Sequence, residues 1–564
     1  MEKRLILAFV LSIVIVIGYQ KLFGPAPEKG ADQRPGSAQT QVAGRDNVQG
    51  APAGVPGVAP AGAVPGAEVL GGPTSRGKNP LRWIAVKTPL YTATIATAGG
   101  GVQSFLLSRY MDKPGPGGKP LDIVGSGSIR PLPLDPFLAE SQPPFPALPV
   151  FSSDAPETVT VKEGEKAVVR LAWESEQGIR IFREYRFTGG RYEFELEQKV
   201  SNGSTGSLRF RPGIELSQVF VGELQGDSYS FHGVVVNEGG KIQQYDLKKV
   251  GKGDIPKTPA RWVSADSKYF TLVAIPAKPL AVEGAASVGE EGIRISLADS
   301  PAVLGPKEVS AFTTGVFMGP KEYALLQSVG KDLEQLVDYG WFTFLAKPLV
   351  WLLSASNRVT GNYGIDIILL TILIKILFFP LTQKSMASMK KMQALAPIVN
   401  KLKEKYKDDK ARMNQEVMNL YKTYNINPMS GCLPMLLQIP VFIALYKGLL
   451  VAIELRHSPF YLWINDLSAP EHLWDIAVAG YTIPIRLLPL LMGVSMFVQQ
   501  KLSPSGGMDP TQQKMMMFLP LVFTFMFWGF PTGLTIYWLM NNLLSIGQQI
   551  YQNRQTAAEQ AASA

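Results

Sequence analysis

Long apolar runs separated by polar loops dominate the second half of the chain. The clearest is 365–381, IDIILLTILIKILFFPL, which has the length and composition of a membrane-spanning helix. Four further apolar runs follow it, and one more opens the chain, so the pattern predicts six spans. The four that follow are placed at Cys432–Ile453, Ile483–Val498, Met515–Phe530 and Leu534–Ile550.

The opening run, from Leu5 to Ile17, follows Lys3 and Arg4 and has the form of a signal peptide or a membrane anchor. No small-x-small cleavage site follows it directly, so the sequence favours an uncleaved anchor. Its basic N-terminal end is expected in the cytoplasm.

The periodicity changes between the first two spans. Residues 24–80 are rich in Gly, Ala, Pro and Val and predict a flexible linker. In 81–320, apolar and polar residues alternate, as at Tyr192, Phe194 and Leu196. Gly and Pro residues separate the alternating runs. This pattern predicts a β-sandwich with a hairpin turn at TGG, residues 188–190.

Residues 321–358 have the pattern of helices with one apolar face. Large aromatic residues next to basic ones suit a helix that lies in a membrane interface. The alternative is a core helix of the preceding domain. The residues concerned are Trp341, Phe342, Phe344, Lys347, Trp351 and Arg358.

Charge in the loops predicts how the spans are oriented. Loop 382–428 holds ten Lys and Arg against four acidic residues, whereas loop 456–481 holds one against three. Basic loops stay on the cytoplasmic side, so the first loop is predicted to be cytoplasmic and the second external. Six spans then place both termini in the cytoplasm and residues 24–358 outside it.

Composition further limits the classes of protein to which the chain can belong. Only 18% of the residues are charged, below the roughly 25% of soluble domains, and the formal net charge is +9. Cys432 is the single cysteine, and the three histidines are far apart, so neither an intramolecular disulfide nor a cofactor or metal site is expected. Residues 81–320 contain no P-loop or GxGxxG motif. The sequence therefore predicts no enzyme.

Lys375 is the candidate for functional chemistry because it interrupts an apolar span. A Lys at the centre of a transmembrane helix costs roughly 2.5–3.5 kcal/mol, so something must hydrate or pair with it. Thr371 lies one turn earlier on the same helix face. The hypothesis is a wet groove facing Lys375. The alternative, snorkelling to the interface near Lys384, requires a reach of roughly 13 Å.

Other polar groups lie in the later spans. The amides of Gln438, Asn541 and Asn542 suit either substrate contact or hydrogen bonds between helices. The basic loop predicts a helical hairpin, 383–424, made of helices Gln383–Lys405 and Ala411–Tyr424. Its charge suits anionic lipid headgroups or ribosomal RNA, or simply a solvated surface.

From Asp338 to Tyr551 the chain resembles the YidC insertase family, and its N-terminal half resembles the arrangement in Gram-negative members, with a large periplasmic β-sandwich akin to sugar-binding folds. The stretches that carry the resemblance are VDYGW (337–341), FFPLTQKSMASMKKMQ (378–393), NPMSGCLPMLLQIPVFIALY (427–446), ELRHSPFYLWINDLSAP (454–470), LMGVSMFVQQKLSP (491–504), DPTQQKMM (509–516) and FPTGLTIYWLMNN (530–542).

The resemblance implies five core helices around a hydrophilic groove, and it implies insertion and chaperoning of membrane proteins without a nucleotide. Lys375 falls where the family usually carries a groove Arg, and it lacks that residue's bidentate fork. The expected partners are nascent membrane proteins, membrane lipids, the Sec translocon and, through the cytoplasmic loops rather than a basic tail, the ribosome. No DNA is expected. Groove positions fall at Thr371, Gln438, Tyr537 and Trp538, the last often Tyr in relatives, and the hydrophobic slide falls at Ile439 and Phe442.

The sequence thus predicts a multi-domain membrane protein with a helical insertase core and a periplasmic β-sandwich. A solute transporter is the alternative, and a sugar-binding or sugar-modifying enzyme is a second rival. The predicted parts are an anchor (1–23), the linker (24–80), the β-sandwich (81–320), the interface segment (321–358), the core with its hairpin (359–551) and a short cytoplasmic tail (552–564).

Overall fold

The computed structural model describes residues 80–563 apart from 126–129, 138–140, 147, 221–229, 248–249, 251–258, 289–291, 427–432, 479–480 and 503–509. The predicted anchor (1–23), the linker up to residue 79 and Cys432 therefore lie outside the described residues.

The first half of the described chain consists of strands. Their bounds are β1 Trp83–Lys87, β2 Tyr91–Ala96, β3 Val102–Met111, β4 Pro120–Asp122, β5 Pro136–Phe137, β6 Thr158–Thr160, β7 Lys166–Glu174, β8 Ile179–Thr188, β9 Glu193–Asn202, β10 Leu208–Phe210, β11 Gly213–Val219, β12 Gly233–Glu238, β13 Lys241–Asp246, β14 Pro259–Ala260, β15 Trp262–Asp266, β16 Phe270–Pro276, β17 Leu280–Val288, β18 Gly292–Ala298, β19 Ala302–Leu304 and β20 Val309–Pro320.

These strands form a sandwich, as predicted. The largest sheet has the order β13-β12-β15-β16-β20-β9-β8-β7, and two five-stranded sheets have the orders β4-β3-β2-β1-β6 and β14-β17-β18-β11-β5. Phe105 on β3 stacks on Phe194 on β9 with ring centroids 6.4 Å apart, so side chains from two sheets meet in one core. Face-to-face packing of this kind defines a β-sandwich.

The predicted hairpin at residues 188–190 is confirmed. Strands β8 and β9 pair antiparallel across it, with Phe187 opposite Phe194. Burial alternates along both strands, and Tyr192, Phe194 and Leu196 are all buried. The period of two in the sequence therefore marks the core face of these strands.

The second half consists mainly of helices. Their bounds are α1 Tyr323–Val329, α2 Thr343–Thr360, α3 Tyr363–Ala394, α4 Ala396–Lys405, α5 Lys410–Thr423, α6 Leu433–Val451, α7 Leu487–Leu502, α8 Pro510–Phe527 and α9 Thr532–Ser563.

Helix α3 is longer than the apolar run that predicts it. Asn362 caps its start, where the side chain accepts hydrogen bonds from the backbone N–H groups of Gly364 and Ile365. The helix continues past the run and past Pro380 to Ala394. The predicted hairpin helix Gln383–Lys405 is therefore wrong as one separate helix, because its first half belongs to α3 and its second half is α4.

Several predicted span ends also differ from the structure. Ile483 lies in a strand, because β21 Trp474–Val478 and β22 Tyr481–Ile485 form an antiparallel hairpin before α7 begins at Leu487. Helix α9 extends to Ser563, well past Ile550. The residues around Ile483 are apolar and partly β-branched, so hydropathy alone does not distinguish this strand from a helix.

In the described part of the chain, α3 is the one helix both long and apolar enough to cross a membrane. Shorter apolar helical segments are Leu437–Val451, Leu487–Leu502 and Met516–Phe527. Helix α9 packs against α3 and α7, α8 packs against α7, and α2 packs against α6 and α3. These six helices thus form one bundle with α9 near its centre, while α4 and α5 share a separate small core.

Helix α2 has two distinct faces, as the sequence predicts. Ala346, Leu349 and Leu353 are buried against the bundle. Trp351 and, in the turn before the helix, Trp341 keep 68% and 82% of their surface exposed. Large exposed aromatic side chains suit contact with lipid or with another protein, and the interface helix stays a prediction.

Candidate functional site

Lys375 lies near the middle of α3 and is half-buried. Its Nζ donates a hydrogen bond to Ser545 Oγ on α9 at 2.6 Å. The Ser545 hydroxyl in turn donates to the Asn541 carbonyl oxygen, one turn earlier on α9, at 2.7 Å. Within the described residues Lys375 forms no ion pair, so its partner is neutral and its charge is not compensated.

A second polar pair lies beside this one. Gln438 Nε2 on α6 donates to Asn541 Oδ1 on α9 at 2.7 Å. Lys375, Gln438 and Asn541 line a common cavity of about 10 Å³, enough for about one water molecule. We call Lys375, Gln438, Asn541 and Ser545 the polar groove.

A polar stripe along α9 joins this helix to its neighbours. Asn542 Nδ2 donates to Ser495 Oγ on α7 at 3.0 Å, and Gln549 Nε2 donates to the Leu502 carbonyl at 2.9 Å. Spacings of three and four residues place the stripe on one side of a helix. All of its members are at most 8% exposed: Asn541, Asn542, Ser545, Gln549 and Gln552.

An aromatic cluster closes the groove on the side nearer the β-sandwich. The Phe442 ring on α6 meets Trp538 on α9 edge to face, with centroids 4.7 Å apart. Phe523 and Phe527 on α8 lie 5.6 Å and 5.3 Å from the same indole. Aromatic contacts of this geometry are favourable, so Phe442, Phe523, Phe527 and Trp538 form an apolar layer next to the polar groove.

The structure brings some of the predicted site residues together and separates others. Lys375 and Gln438 share the polar groove, and the buried Tyr537 lies against Gln438. Thr371 is buried one turn away, and its hydroxyl donates to the Ile367 carbonyl of its own helix at 2.6 Å. It does not line the cavity.

Ile439 and Phe442, the predicted slide, lie on α6 directly after Gln438. Both are partly buried, and Trp538 packs on Phe442. The apolar positions therefore continue from the polar groove towards the aromatic cluster.

Sequence reasoning missed Ser545 and Ser495. Neither residue stands out alone, because Ser is common in spans. The spacing of the polar residues on α9 was the available signal, since 541, 545, 549 and 552 recur at three to four residues within an apolar helix.

The outer faces of the bundle are apolar. Phe518, Val522 and Phe525 on α8 are 66%, 59% and 72% exposed, and Ile376 and Leu377 on α3 are similarly open. Exposed apolar area of this size marks contact with lipid or with another protein. The bundle thus combines an apolar exterior with a polar groove inside it.

In loop 456–481, the described His and acidic side chains form only simple pairs. His472 Nε2 lies 2.9 Å from Asp475 Oδ1, and both side chains are exposed. His457 Nε2 lies 4.0 Å from Asp466 Oδ2. Where the structure describes the chain, no three His, Cys, Asp or Glu side chains are grouped to hold a metal ion.

Two family models match the chain. The model described as "60Kd inner membrane protein" matches residues 355–559, and the model described as "YidC periplasmic domain" matches residues 83–352.

Relatives match over the whole length. A protein from Geotalea daltonii named "Membrane protein insertase YidC" is 39% identical over 575 aligned residues, which cover 99% of this chain and 100% of the relative. A protein of the same name from Geobacter sulfurreducens is 38% identical and covers 100% of both chains. A solved structure titled "Active YidC insertase crystal structure with the first transmembrane domain resolved" is 17% identical over 85% of this chain and 93% of its own, with a TM-score of 0.36.

Proposed function

Because the chain belongs to the YidC family of membrane protein insertases, we propose that it inserts integral proteins into the bacterial inner membrane through the polar groove around Lys375. The observation that supports this most directly is the contact between Lys375 Nζ and Ser545 Oγ at 2.6 Å. A cation is thereby held inside an apolar bundle by a neutral group.

The proposed mechanism depends on the uncompensated charge of Lys375. A client's acidic tail would pass from water to a site with a cation and amides rather than to hydrocarbon, where an unpaired charge is costly. The hydroxyl of Ser545 supplies one hydrogen bond and no negative charge, so a client carboxylate can still pair with Lys375. The ammonium is a compact charge with three donors and needs no fixed bidentate geometry.

The apolar part of the client would follow another path. In the proposal, its helix slides along Ile439 and Phe442 on α6 while Tyr537, Trp538 and Thr371 form the wall behind it. In the same proposal, the aromatic cluster separates the polar groove from the side nearer the β-sandwich. Burial of the client's apolar surface in lipid drives the step, so no bond is made or broken and no catalytic residue is required.

The surrounding organisation is part of the same proposal. Both termini lie in the cytoplasm, residues 24–358 lie in the periplasm, and the hairpin 383–424 meets nascent chains and lipids. The basic excess in loop 382–428 supports this orientation. Partnership with the Sec translocon or the ribosome would bring clients to the groove. The relatives' names favour insertion over the transporter alternative.

The test is insertion of a single-span client with an acidic N-terminal tail into proteoliposomes that contain only this protein. Wild type is compared with Lys375→Arg and Lys375→Ala, and the matched control is Lys384→Ala, which removes an exposed cation from the same helix. We expect Lys375→Arg and Lys384→Ala to retain insertion. We expect Lys375→Ala to lose about tenfold, the effect of roughly 1.4 kcal/mol.

Equal insertion by all four proteins would remove the charge from the mechanism and leave only hydration of the groove. A loss in Lys384→Ala as large as that in Lys375→Ala would point instead to general attraction by basic charge. Absence of insertion by folded wild-type protein would contradict the proposal that the chain inserts this client alone.

A further inference from the structure

A second cavity lies where the β-sandwich meets the helical bundle. Its volume is about 290 Å³, just below the roughly 300–1,000 Å³ of small-molecule sites. One wall is the end of β3 and the loop after it, and the other is the segment after α6. The lining residues on these walls include Arg109, Lys113, Ile453, Glu454, Arg456 and His457.

Basic groups dominate this junction cavity. The side chains of Arg109 and Lys113 are exposed and make no hydrogen bond or ion pair with any residue that the structure describes. Arg456 is buried; it donates to the Met111 carbonyl, and its guanidinium lies 5.4 Å from the centre of the Phe270 ring. Arg456 therefore fixes the wall while Arg109 and Lys113 remain available to an anion.

One carboxyl group faces the same space. Burial, and after it the nearby Glu322, raise the pKa of Glu454. Tyr110 does not lower this pKa by donating a hydrogen bond to Glu454, because its hydroxyl donates to Glu322 Oε1 at 2.6 Å. Across the described residues Glu454 forms no ion pair. A cation placed beside Glu454 would stabilise its ionised form.

The depth of the cavity favours a lipid ligand over a free ion. In the orientation proposed above, α6 is a membrane span; its 19 residues make about 28 Å of helix, close to the roughly 30 Å of a hydrocarbon core. Ile453 follows its last residue, Val451, by two positions, so it lies within about 7 Å of the helix end. The headgroup layer is roughly 5–8 Å thick on each side, so the cavity opens at headgroup depth.

We propose that the junction cavity binds the zwitterionic headgroup of a phospholipid whose phosphate pairs with Arg109 and Lys113 and whose primary ammonium pairs with Glu454. The two charges of such a headgroup match the two kinds of group in the lining. This site is separate from the polar groove, so its test does not depend on the insertion mechanism.

The test is lipid binding to the full chain in detergent, measured by native mass spectrometry. The probes are phosphatidylethanolamine, phosphatidylglycerol and inorganic phosphate. We expect wild type to retain phosphatidylethanolamine best and the double variant Arg109→Ala/Lys113→Ala to bind it about tenfold less. Lys119→Ala is the matched control, since Lys119 is exposed near the same loop and does not line the cavity.

Glu454→Gln tests the ammonium separately, and it is expected to abolish the preference for phosphatidylethanolamine over phosphatidylglycerol. Three results would overturn the assignment: equal losses in Lys119→Ala and the double variant, displacement of the lipid by inorganic phosphate, or an unchanged lipid preference in Glu454→Gln. Thermal unfolding of each variant verifies that it is folded, and Lys113→Gln, a milder change at an exposed position, replaces the double variant if that one is unstable.

Discussion

Lys375 and Lys321 are both lysines with little access to solvent, but a carboxylate compensates the charge of only one of them, Lys321. Lys321 Nζ contacts Asp266 Oδ2 at 2.8 Å and the Ser267 carbonyl at 3.0 Å, so a carboxylate compensates its charge. Lys375 has the Ser545 hydroxyl instead. A buried charge that is paired has a structural role, whereas an uncompensated charge remains able to attract an anion. The difference supports a functional role for Lys375.

A resident carboxylate at position 545 is predicted to block insertion. In Ser545→Asp, the new carboxylate would lie within contact distance of the Lys375 ammonium and neutralise it. We expect insertion of an acidic-tail client to fall to the level of Lys375→Ala. The assay is the proteoliposome insertion described above.

Ser545→Asn is the control for this prediction, because Asn has nearly the shape of Asp but no charge. It is expected to retain most of the activity. If Ser545→Asp inserted the client as well as Ser545→Asn, neutralising the cation would have no effect, and attraction by Lys375 would be excluded.

The sequence allowed one half of the polar groove to be predicted. Lys375 stands out because no other charge interrupts the apolar run from Ile367 to Leu381. Ser545 is 170 positions away and gains its role only when α3 and α9 pack together. Contacts of this separation depend on tertiary structure, which the periodicity of either helix does not specify.

Among the elements, strands with one buried face were the most predictable. The alternation in β8 and β9 determines both their type and their core face. The boundaries of apolar helices were less predictable, because composition stays apolar where the backbone changes. Residues 481–485 pair with 474–478 as a hairpin although hydropathy extends the next span into them.

In the turn between β2 and β3, Gly99 lies too close to Asp135 to carry a side chain without a shift. Gly99 has φ +81°, and a Cβ on it would lie 2.4 Å from Asp135 Oδ1. Asp135 cannot move freely, because its Oδ2 accepts from the Leu132 N–H at 2.8 Å. We expect Gly99→Ala to destabilise the protein by roughly 2–5 kcal/mol, the sum of left-handed strain and overpacking.

Gly115→Ala separates the two effects. Its φ is +86°, and nothing lies within 4 Å of the added Cβ, so only the backbone strain of roughly 1–2 kcal/mol is expected. Denaturant unfolding followed by tryptophan fluorescence measures both variants. Equal losses of stability would show that the contact with Asp135 has no cost.

At the scale of the whole molecule, the β-sandwich and the bundle are joined by specific contacts. Arg456 reaches from the bundle to the Met111 carbonyl and the Phe270 ring of the sandwich. Tyr110 packs edge to face on Phe270 with centroids 5.4 Å apart and donates to Glu322. The sequence predicted two parts but not how they dock, because docking depends on single residues far apart in the chain.

Arg456 is predicted to be the main attachment between the two parts. Arg456→Ala removes a charge-assisted hydrogen bond and a cation–π contact, which together stabilise a buried junction by roughly 2–4 kcal/mol. We expect faster hydrogen–deuterium exchange in the last residues of β3 and at the start of β16, by about tenfold or more, since local opening becomes easier. Arg170→Ala, which removes an exposed arginine paired with Glu184 at 2.9 Å on the edge strand β7, should leave these segments unchanged. Similar exchange in both variants would mean that apolar packing, rather than Arg456, holds the sandwich on the bundle.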